Sequence, residues 1–525
     1  MFKKDDDFGH EIWPLIAAVF GVFVWHVMFL SQLNLIPDEC SYWAWSRHLD
    51  WSYFDNSGMT AYLIRLSTEI FGRSTPFTVR FPFLVAAFIT TITVYFSASL
   101  VSGSRWAGAY SALFFNLAPL SLFGAGTAVH DNALIMFWAL ALWFAAKFLK
   151  SENPANFYLV GIACGLAILS KYTGVLIVPA VMLWLIASKR YRYLLAQKEP
   201  WIGAIIAALF TLPIIWWNYQ NEWASFKHIL FIGSTHGGFW KRVSDGLGYQ
   251  LSQLLTISPF FYFAIIATII SSTVAQFRTR NDNQLLLLMM GFPLLLFSVM
   301  AFKGHAEANW AVMGYLSTGI LTVMALMDCN DPTTKFISKR FGVRRFVRIG
   351  TIIAVLLVVL ITAHAWVGLV PAFVEKRIWK ADRIIWETRG WHGLGQYLPG
   401  LIQKDDVIAA DSYQLCALLE FNIPGQPNVR YLAPWDRPTQ FDVWNRSYDD
   451  LAGKNILFVS AKPLGPTSSV LMTIYENFSS VDQLPPYQVM YHGESIRQIY
   501  ICRGHGFDPF KPRRLGPRSL FYPGQ

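Results

Sequence analysis

Two adjacent carboxylates, Asp38 and Glu39, lie at the end of the first long apolar run, which extends from Ile12 to Ile36. An acidic pair at a membrane boundary is costly, so such residues usually mark a functional site. One carboxylate could take a proton from an acceptor hydroxyl while an anionic group leaves. The alternative is that the pair only caps a helix end at the water line. Because other polar groups converge on the same face, we favour function.

The residues that follow the acidic pair form an aromatic stretch, 42–59, which is typical of a sugar- or lipid-handling loop on a membrane surface. It contains the candidate substrate-binding residues Tyr53 and Asp55. His48 within it and Arg65 beyond it could reach a donor phosphate. Each charge alone is more simply a surface group, and only their co-location favours a site.

Two further positions place polar groups between apolar runs. His130 and Asp131 form a very short turn, in which Asp131 could bind an acceptor, share a metal with the first loop, or only cap the next helix. Lys171 interrupts an apolar run, where it could hold a phosphate as a point charge or extend to the interface. The pattern alone leaves these alternatives open.

A polar cluster precedes Trp310 and consists of Lys303, His305, Glu307 and Asn309. It could meet a phosphate, a sugar or a cation, but His305 and Glu307 alone are weak evidence for a metal. A divalent metal is therefore possible and its ligands are unknown. No glycine-rich phosphate loop or nucleophile elbow is present, which disfavours ATP or a soluble sugar nucleotide as donor. A lipid-linked donor fits better.

The composition excludes a single soluble domain. The chain has 525 residues, of which 54% are hydrophobic and only 14% charged, against about a quarter charged in soluble proteins. Its net charge of +10 comes from Lys and Arg in short loops between apolar runs, which indicates membrane topology and not a nucleic-acid partner. The apolar runs predict about eleven transmembrane helices, near 12–36, 81–102, 106–126, 133–149, 157–170, 173–188, 201–217, 249–275, 284–302, 310–328 and 349–371.

The distribution of basic residues predicts the orientation. With a cytoplasmic N-terminus, the basic segments at 189–198 and 335–348 both lie inside, as the positive-inside rule requires. Asp38, Asp131, Lys171 and the 303–310 cluster then share the outer face. We expect a multi-pass protein of the bacterial inner membrane with its C-terminal domain in the periplasm.

The chain divides into three predicted parts. Residues 1–374 form the transmembrane domain, with an outer loop at 37–80. Within this loop Met59, Leu63, Leu66 and Ile70 recur at helical spacing, which predicts an amphipathic helix. Residues 375–508 predict a small α/β domain, with strands at 407–411, 455–461, 488–493 and 496–502 and helices at 412–421 and 469–478. The tail, 509–525, is rich in Pro and Arg.

These blocks together resemble bacterial membrane glycosyltransferases of the glycosyltransferase-C superfamily. The branch is the one related to protein O-mannosyltransferases, to aminoarabinose transferase and to lipid A glycosyltransferases. The segment from Asp38 to Leu66 is similar to the family's first-loop block, and HDNALIMFWALAL from His130 is similar to the block with a second outer acidic residue. SKYTG, EANWAVMGYL and DSYQLCALLEF resemble later blocks.

The resemblance implies transfer of a sugar from a polyprenyl-phosphate donor to an acceptor, with lipid A or lipopolysaccharide core as the first choice and another glycolipid next. It makes Asp38 the catalytic base and Glu39 the residue that orients substrate. Asp131 would support the acceptor side, and Lys171 would hold the donor phosphate. The chain departs from the family at Asn56-Ser57-Gly58 and at His130.

Two alternatives remain at this point. Protein O-glycosylation lies within the same enzyme class. A polyprenyl-glycolipid transporter would share the many spans, but its charged or broken helices are expected near the membrane midplane. Here the polar residues gather at one face, which favours the enzyme.

Overall fold

The computed structural model describes residues 12–124, 126–232, 238–279, 281–304, 306–328, 342–378, 382–432, 438–464 and 476–510. Nearly all of the N-terminal part is helical, and each of the eleven predicted apolar runs folds as helix. Its helices are α1 Ile12–Ser31, α2 Pro37–Arg47, α3 Met59–Phe71, α4 Pro76–Ser102, α5 Arg105–Leu117, α6 Pro119–Gly124, α7 His130–Ser151, α8 Asn156–Ser170, α9 Ile177–Ala187, α10 Lys198–Leu209, α11 Leu212–Gln220, α12 Ala224–Ile232, α13 Phe239–Ile257, α14 Pro259–Thr279, α15 Asp282–Met290, α16 Pro293–Ala301, α17 Gly314–Met327 and α18 Val343–Val367.

The helices form a multi-pass membrane domain. Within the described residues, six helical segments are long and apolar enough to cross a membrane, and two of these combine helices named above, α10 with α11 and α15 with α16. A seventh is added if α13 and the start of α14, bent by 111° at Ser258, form one span. Three shorter apolar helical segments occur as well, and two of them flank Lys171, as the sequence predicts. Close packing is helped by small residues: a side chain on Gly161 of α8 would collide with the backbone of Gly203 in α10.

The outer loop at 37–80 contains two helices. Pro37 starts α2, where its missing N–H costs nothing, and the Glu39 side chain accepts from the Ile36 N–H at 3.0 Å. The predicted amphipathic helix is observed as α3, which exposes Leu66 and Ile70 and buries Ala61 and Ile64. Helix α2 was not predicted. Its aromatic residues face neighbours on several sides, so the sequence does not show apolar residues recurring along one helix face.

A buried ion pair fixes this loop to the membrane domain. Glu39 is fully buried and binds Arg80 of α4 through two hydrogen bonds of 2.5 and 2.7 Å. Arg80 also donates to the carbonyl oxygens of Leu30, Leu33 and Asn34, and Glu39 accepts from the Ala128 N–H at 2.8 Å. The pair thus connects four segments of chain, with the hydrogen-bonding capacity of the guanidinium fully used.

The C-terminal part is an α/β domain, as predicted. Its strands β1 Asp406–Ala410, β2 Arg430–Tyr431, β3 Asn455–Ser460, β4 Ser480–Tyr491 and β5 Glu494–His505 form one sheet of order β2-β1-β3-β5-β4. The pairs β2–β1 and β1–β3 are parallel, whereas β5 is antiparallel to β3 and β4. The helices are α19 Ala372–Ile378, α20 Arg383–Thr388, α21 Trp391–Tyr397, α22 Tyr413–Asn422 and α23 Gln440–Trp444.

The predicted strands and the helix at 412–421 correspond to β1, β3, β4, β5 and α22. Strand β2 was missed because it has two residues and no alternating pattern. The helix predicted at 469–478 lies mostly outside the described residues, as does the tail beyond residue 510. Residues of the loop, such as Trp43 and Ile64, share one apolar core with the C-terminal domain, so the two predicted domains are packed together.

Replacing Arg80 with Met tests the buried pair. The variant leaves the Glu39 carboxylate buried without its partner, which costs about 3–5 kcal/mol, so we expect a clear fall in melting temperature. The matched control is Arg65→Met, which breaks the exposed Arg65–Glu69 pair on α3, worth roughly 0–1 kcal/mol. Thermal unfolding of both variants in the same detergent is the measurement. Equal stability losses would contradict the assigned role of Arg80.

Candidate active site

Asp38 lies in the first turn of α2 and is half-buried. It differs from its neighbour Glu39 because it faces the C-terminal domain: the Gln414 side-chain amide of α22 donates to Asp38 Oδ1 at 3.2 Å. The two adjacent carboxylates are therefore in different environments. Glu39 is fully enclosed by Arg80 and backbone groups, which leaves Asp38 as the carboxylate placed at an accessible surface.

The ring of Tyr42 joins the first loop to the second polar turn. It packs against the His130 ring with centroids 4.2 Å apart. Burial raises the pKa of Tyr42, and Asp38, Tyr413, Asp55 and Asp131 raise it further. The surroundings of this ring are therefore negatively charged.

Asp131, Lys171 and Asn309 form a polar triad contributed by three separate segments. Lys171 Nζ lies 2.7 Å from Asp131 Oδ1, and Asn309 Nδ2 donates to Asp131 Oδ2 at 2.9 Å. Lys171 ends α8 in an extended conformation, and this break turns its side chain toward α7. Lys171 is buried and Asp131 half-buried, so neither is a simple surface charge.

An apolar cavity of about 360 Å³ adjoins this triad. Asp131, Asn309 and Arg80 contribute polar groups to its lining. The rest of the lining is mostly aliphatic and aromatic, with residues such as Phe114, Ile135, Val312 and Ile320. A long apolar group with a polar terminus matches this distribution of surfaces.

His130 and Asp55 have partners that the sequence did not reveal. His130 Nδ1 lies 2.7 Å from the Thr60 hydroxyl, and the ring is buried between aromatic groups. Asp55 Oδ1 lies 3.3 Å from the Nε2 of buried His228 on α12. Across the described part of the chain, no group of three or more His, Cys, Asp or Glu side chains could hold a metal ion.

Several predicted site residues lie apart from the triad of Asp131, Lys171 and Asn309. Arg65 is on the surface with Glu69, and the ring of exposed His48 lies tilted against Trp444 of α23 with centroids 4.9 Å apart. The Tyr53 hydroxyl contacts the backbone at Trp45 and His48 and supports the loop. Lys303 and Glu307 are exposed, and His305 lies outside the described residues.

The functional contacts that sequence reasoning missed are long-range. Arg80 lies one residue before the apolar run predicted at 81–102 and was left in the loop. Gln414 belongs to a segment that resembles the family, but nothing in the sequence pattern predicts its hydrogen bond to Asp38. Arg47 of the first loop contacts Glu420 at 3.4 Å and Asn428 at 2.8 Å in the C-terminal domain.

Structural comparison identifies the architecture. ArnT from Cupriavidus metallidurans in the apo state aligns over 94% of this chain and 97% of its own, with a TM-score of 0.59 and 14% identity. The same protein bound to undecaprenyl phosphate aligns over 94% and 98%, with a TM-score of 0.57. The predicted glycosyltransferase-C-like fold is confirmed. At this identity the alignment establishes the fold alone.

Sequence comparison confirms the predicted resemblance. The family described as dolichyl-phosphate-mannose-protein mannosyltransferase matches residues 55–217. Lipid A galacturonosyltransferase RgtD of Rhizobium johnstonii is 27% identical over 59% of this chain and 65% of its own. Undecaprenyl phosphate-α-4-amino-4-deoxy-L-arabinose arabinosyl transferase 1 of Sodalis glossinidius is 27% identical over 55% of each. The chain thus matches between about half and two thirds of these relatives' lengths.

Glu420 gives the contact between loop and C-terminal domain a pH dependence. Burial raises the pKa of Glu420 to about 7, and the Val429 N–H and Arg47 offset this only in part. Because the folded pKa exceeds the unfolded value near 4.5, this stabilisation is complete below pH 4.5 and is lost as pH rises through 7. The loss amounts to about 3 kcal/mol.

We therefore expect the melting temperature of the wild-type protein to fall between pH 5 and pH 8 more steeply than that of Glu420→Gln. The amide keeps an acceptor for Val429 but cannot ionise. Exposed Glu494→Gln is the control and should follow the wild-type curve. Parallel curves for all three proteins would contradict the assignment.

Proposed function

We propose that this chain is a membrane glycosyltransferase that moves a sugar from a polyprenyl-phosphate donor to a glycolipid acceptor, lipid A or lipopolysaccharide core first. The observation that carries the proposal is the polar triad of Asp131, Lys171 and Asn309, two of whose members line a mostly apolar cavity. The names of the relatives support it, since they describe lipid A and undecaprenyl-phosphate sugar chemistry.

Asp38 is the proposed general base. The acceptor hydroxyl oxygen attacks the anomeric carbon of the sugar and gives its proton to the Asp38 carboxylate. The bond from that carbon to the phosphate oxygen breaks, and polyprenyl phosphate leaves with the electron pair. The half-buried position of Asp38 supports this role, because a base must be able to touch the acceptor.

The contacts of Glu39 favour another role than the substrate-orienting one that the resemblance implies. Both of its oxygens are bound by Arg80 and by backbone N–H groups, so it has little capacity left to orient a substrate. We propose that Glu39 is a positioning residue. Together with Arg80 it fixes the start of α2 and therefore the place of Asp38.

Lys171 is the proposed phosphate ligand, and Asp131 holds it in place. The lysine is bonded to Asp131, which lines the cavity, so the phosphate of a donor with its chain in the cavity would lie within reach of it. A buried ammonium favours an anionic ligand because its charge is poorly screened there. Asn309 completes the triad by orienting the second oxygen of Asp131.

The proposed location is the bacterial inner membrane, with the N-terminus in the cytoplasm and the C-terminal domain in the periplasm. Contacts among the predicted inner loops support it. Arg190 pairs with Glu152 at 2.6 Å, Ser188 binds Asp282, and Asn283 donates to the Val101 carbonyl. Lys171 and Asn309, both predicted to lie outside, instead contact Asp131. The two sets of contacts do not mix, which is expected for loops on opposite sides of one membrane.

Protein O-glycosylation is a second candidate in the same enzyme class. The match of residues 55–217 to a family of protein mannosyltransferases favours it. Mass spectrometry of lipid A and core from cells with and without the gene separates the two. Loss of one sugar mass from the glycolipids supports the leading proposal, and loss from glycoproteins alone supports the second. An unchanged profile in both fractions would contradict transfer and favour a transporter.

Asp38→Asn tests the base. We expect the turnover of the purified protein to fall by about a hundred-fold to ten-thousand-fold, because the amide cannot accept the proton. Undecaprenyl phosphate binding should remain close to wild type. Asp482→Asn on exposed β4 is the matched control and should keep full activity. Normal transfer by Asp38→Asn would exclude it as the base.

Lys171→Met and Lys171→Arg together test the phosphate contact. Loss of the charge in the Met variant should weaken undecaprenyl phosphate binding by roughly ten-fold or more, as expected for a charged hydrogen bond. The Arg variant keeps the charge and should recover part of the affinity. Exposed Lys404→Met is the control. Equal affinity in Lys171→Met and wild type would contradict the assignment.

A further inference from the structure

The C-terminal domain contacts the first loop directly at the proposed base. Helix α22 packs along α2, with Trp43 against Phe421 at a ring distance of 5.0 Å and Arg47 beside Glu420. At the other end of the same contact, Gln414 Nε2 lies 3.2 Å from Asp38 Oδ1. The two residues are 376 positions apart in sequence, so only the packing of the two domains brings them together.

Gln414 is held in place by its own domain. It lies in the first turn of α22, which directly follows strand β1 of the central sheet. The Ser412 hydroxyl caps the helix by accepting from the Leu415 N–H at 3.3 Å. Asp411 beside it binds the Ser460 hydroxyl on β3 at 2.7 Å. The amide of Gln414 therefore projects from a fixed helix start and not from a loose loop.

The C-terminal domain also contacts a second part of the first loop. The buried Gln440 of α23 accepts from the Phe54 N–H at 2.8 Å. Arg446 donates to Asn221 at 2.9 Å. These contacts keep the C-terminal domain against both the loop and the membrane domain, so the Gln414–Asp38 distance does not depend on one hydrogen bond.

We infer that Gln414 is a positioning residue for Asp38 and that the C-terminal domain is thereby a part of the active centre. This inference rests on the proposed role of Asp38 as base. A side-chain amide N–H orients the carboxylate and favours its ionised form, which is the form that accepts a proton. The acidic loop by itself would not provide this donor.

Infrared titration of the Asp38 carboxyl group in the full-length protein tests the inference without a sugar donor. The Asp38 signal is assigned by its absence in Asp38→Asn. We expect its midpoint to rise by roughly half to one pH unit in Gln414→Leu, because one hydrogen bond to the carboxylate is lost. Gln414→Glu, which places a like charge at the same position, should raise the midpoint further.

The ionisable groups that act on the neighbouring residues Cys40 and Tyr42 are unchanged in the Gln414 variants. Besides Asp38 itself, they are Glu39, Arg80, Glu420, Tyr413, Asp55 and Asp131. Exposed Gln403→Leu in the same domain is the matched control and should leave the midpoint unchanged. If Gln414→Leu does not elute as a single folded species, the nearly isosteric Gln414→Glu provides the measurement.

The pH dependence of transfer gives the second readout. In Gln414→Leu we expect the acidic limb of the kcat/KM profile to move to higher pH by the same amount as the infrared midpoint. An unmoved midpoint, or a lower rate with an unmoved limb, would overturn the inference and reduce Gln414 to a structural contact. Wild-type activity in Asp38→Asn would instead refute the base assignment, whatever Gln414 does.

Discussion

The arrangement of the whole site depends on the buried ion pair between Glu39 and Arg80. A carboxylate without any exposure is tolerated only when its charge and its hydrogen bonds are satisfied, and Arg80 with two backbone N–H groups does this. In return, Arg80 binds three carbonyl oxygens at the end of α1. The start of α2 is therefore fixed relative to α1 and α4, and Asp38 is fixed with it.

The pair also explains how two adjacent acidic residues acquire different properties. Successive residues on a helix point in directions about 100° apart, so one of the two faces the membrane domain while the other faces the C-terminal domain. Glu39 enters a closed, fully paired environment. Asp38 remains half-buried beside the Gln414 amide. One carboxylate is closed off by its partners, and the other is the proposed base.

The same separation of roles extends to the rest of the site. Asp131 connects Lys171 and Asn309 in the lining of an apolar cavity, whereas His130 next to it is buried against Tyr42 and Thr60. The C-terminal domain adds α22 and α23 to two sides of the first loop. The geometry of the candidate site thus comes from the membrane helices, the outer loop and the C-terminal domain together.

The sequence by itself determined the apolar runs, the α3 helix, most strands of the C-terminal domain and the residue types available for chemistry, because periodicity and composition are local properties. It also indicated that Asp38, Asp131 and Lys171 share one face, since the alternation of spans fixes the side on which each loop lies. Only the tertiary structure decided that Arg80 pairs with Glu39, that Gln414 meets Asp38, and that Arg65 and His48 stay apart from the triad. These contacts join residues as far as 376 positions apart, and they depend on how helices and domains pack, which no local pattern encodes.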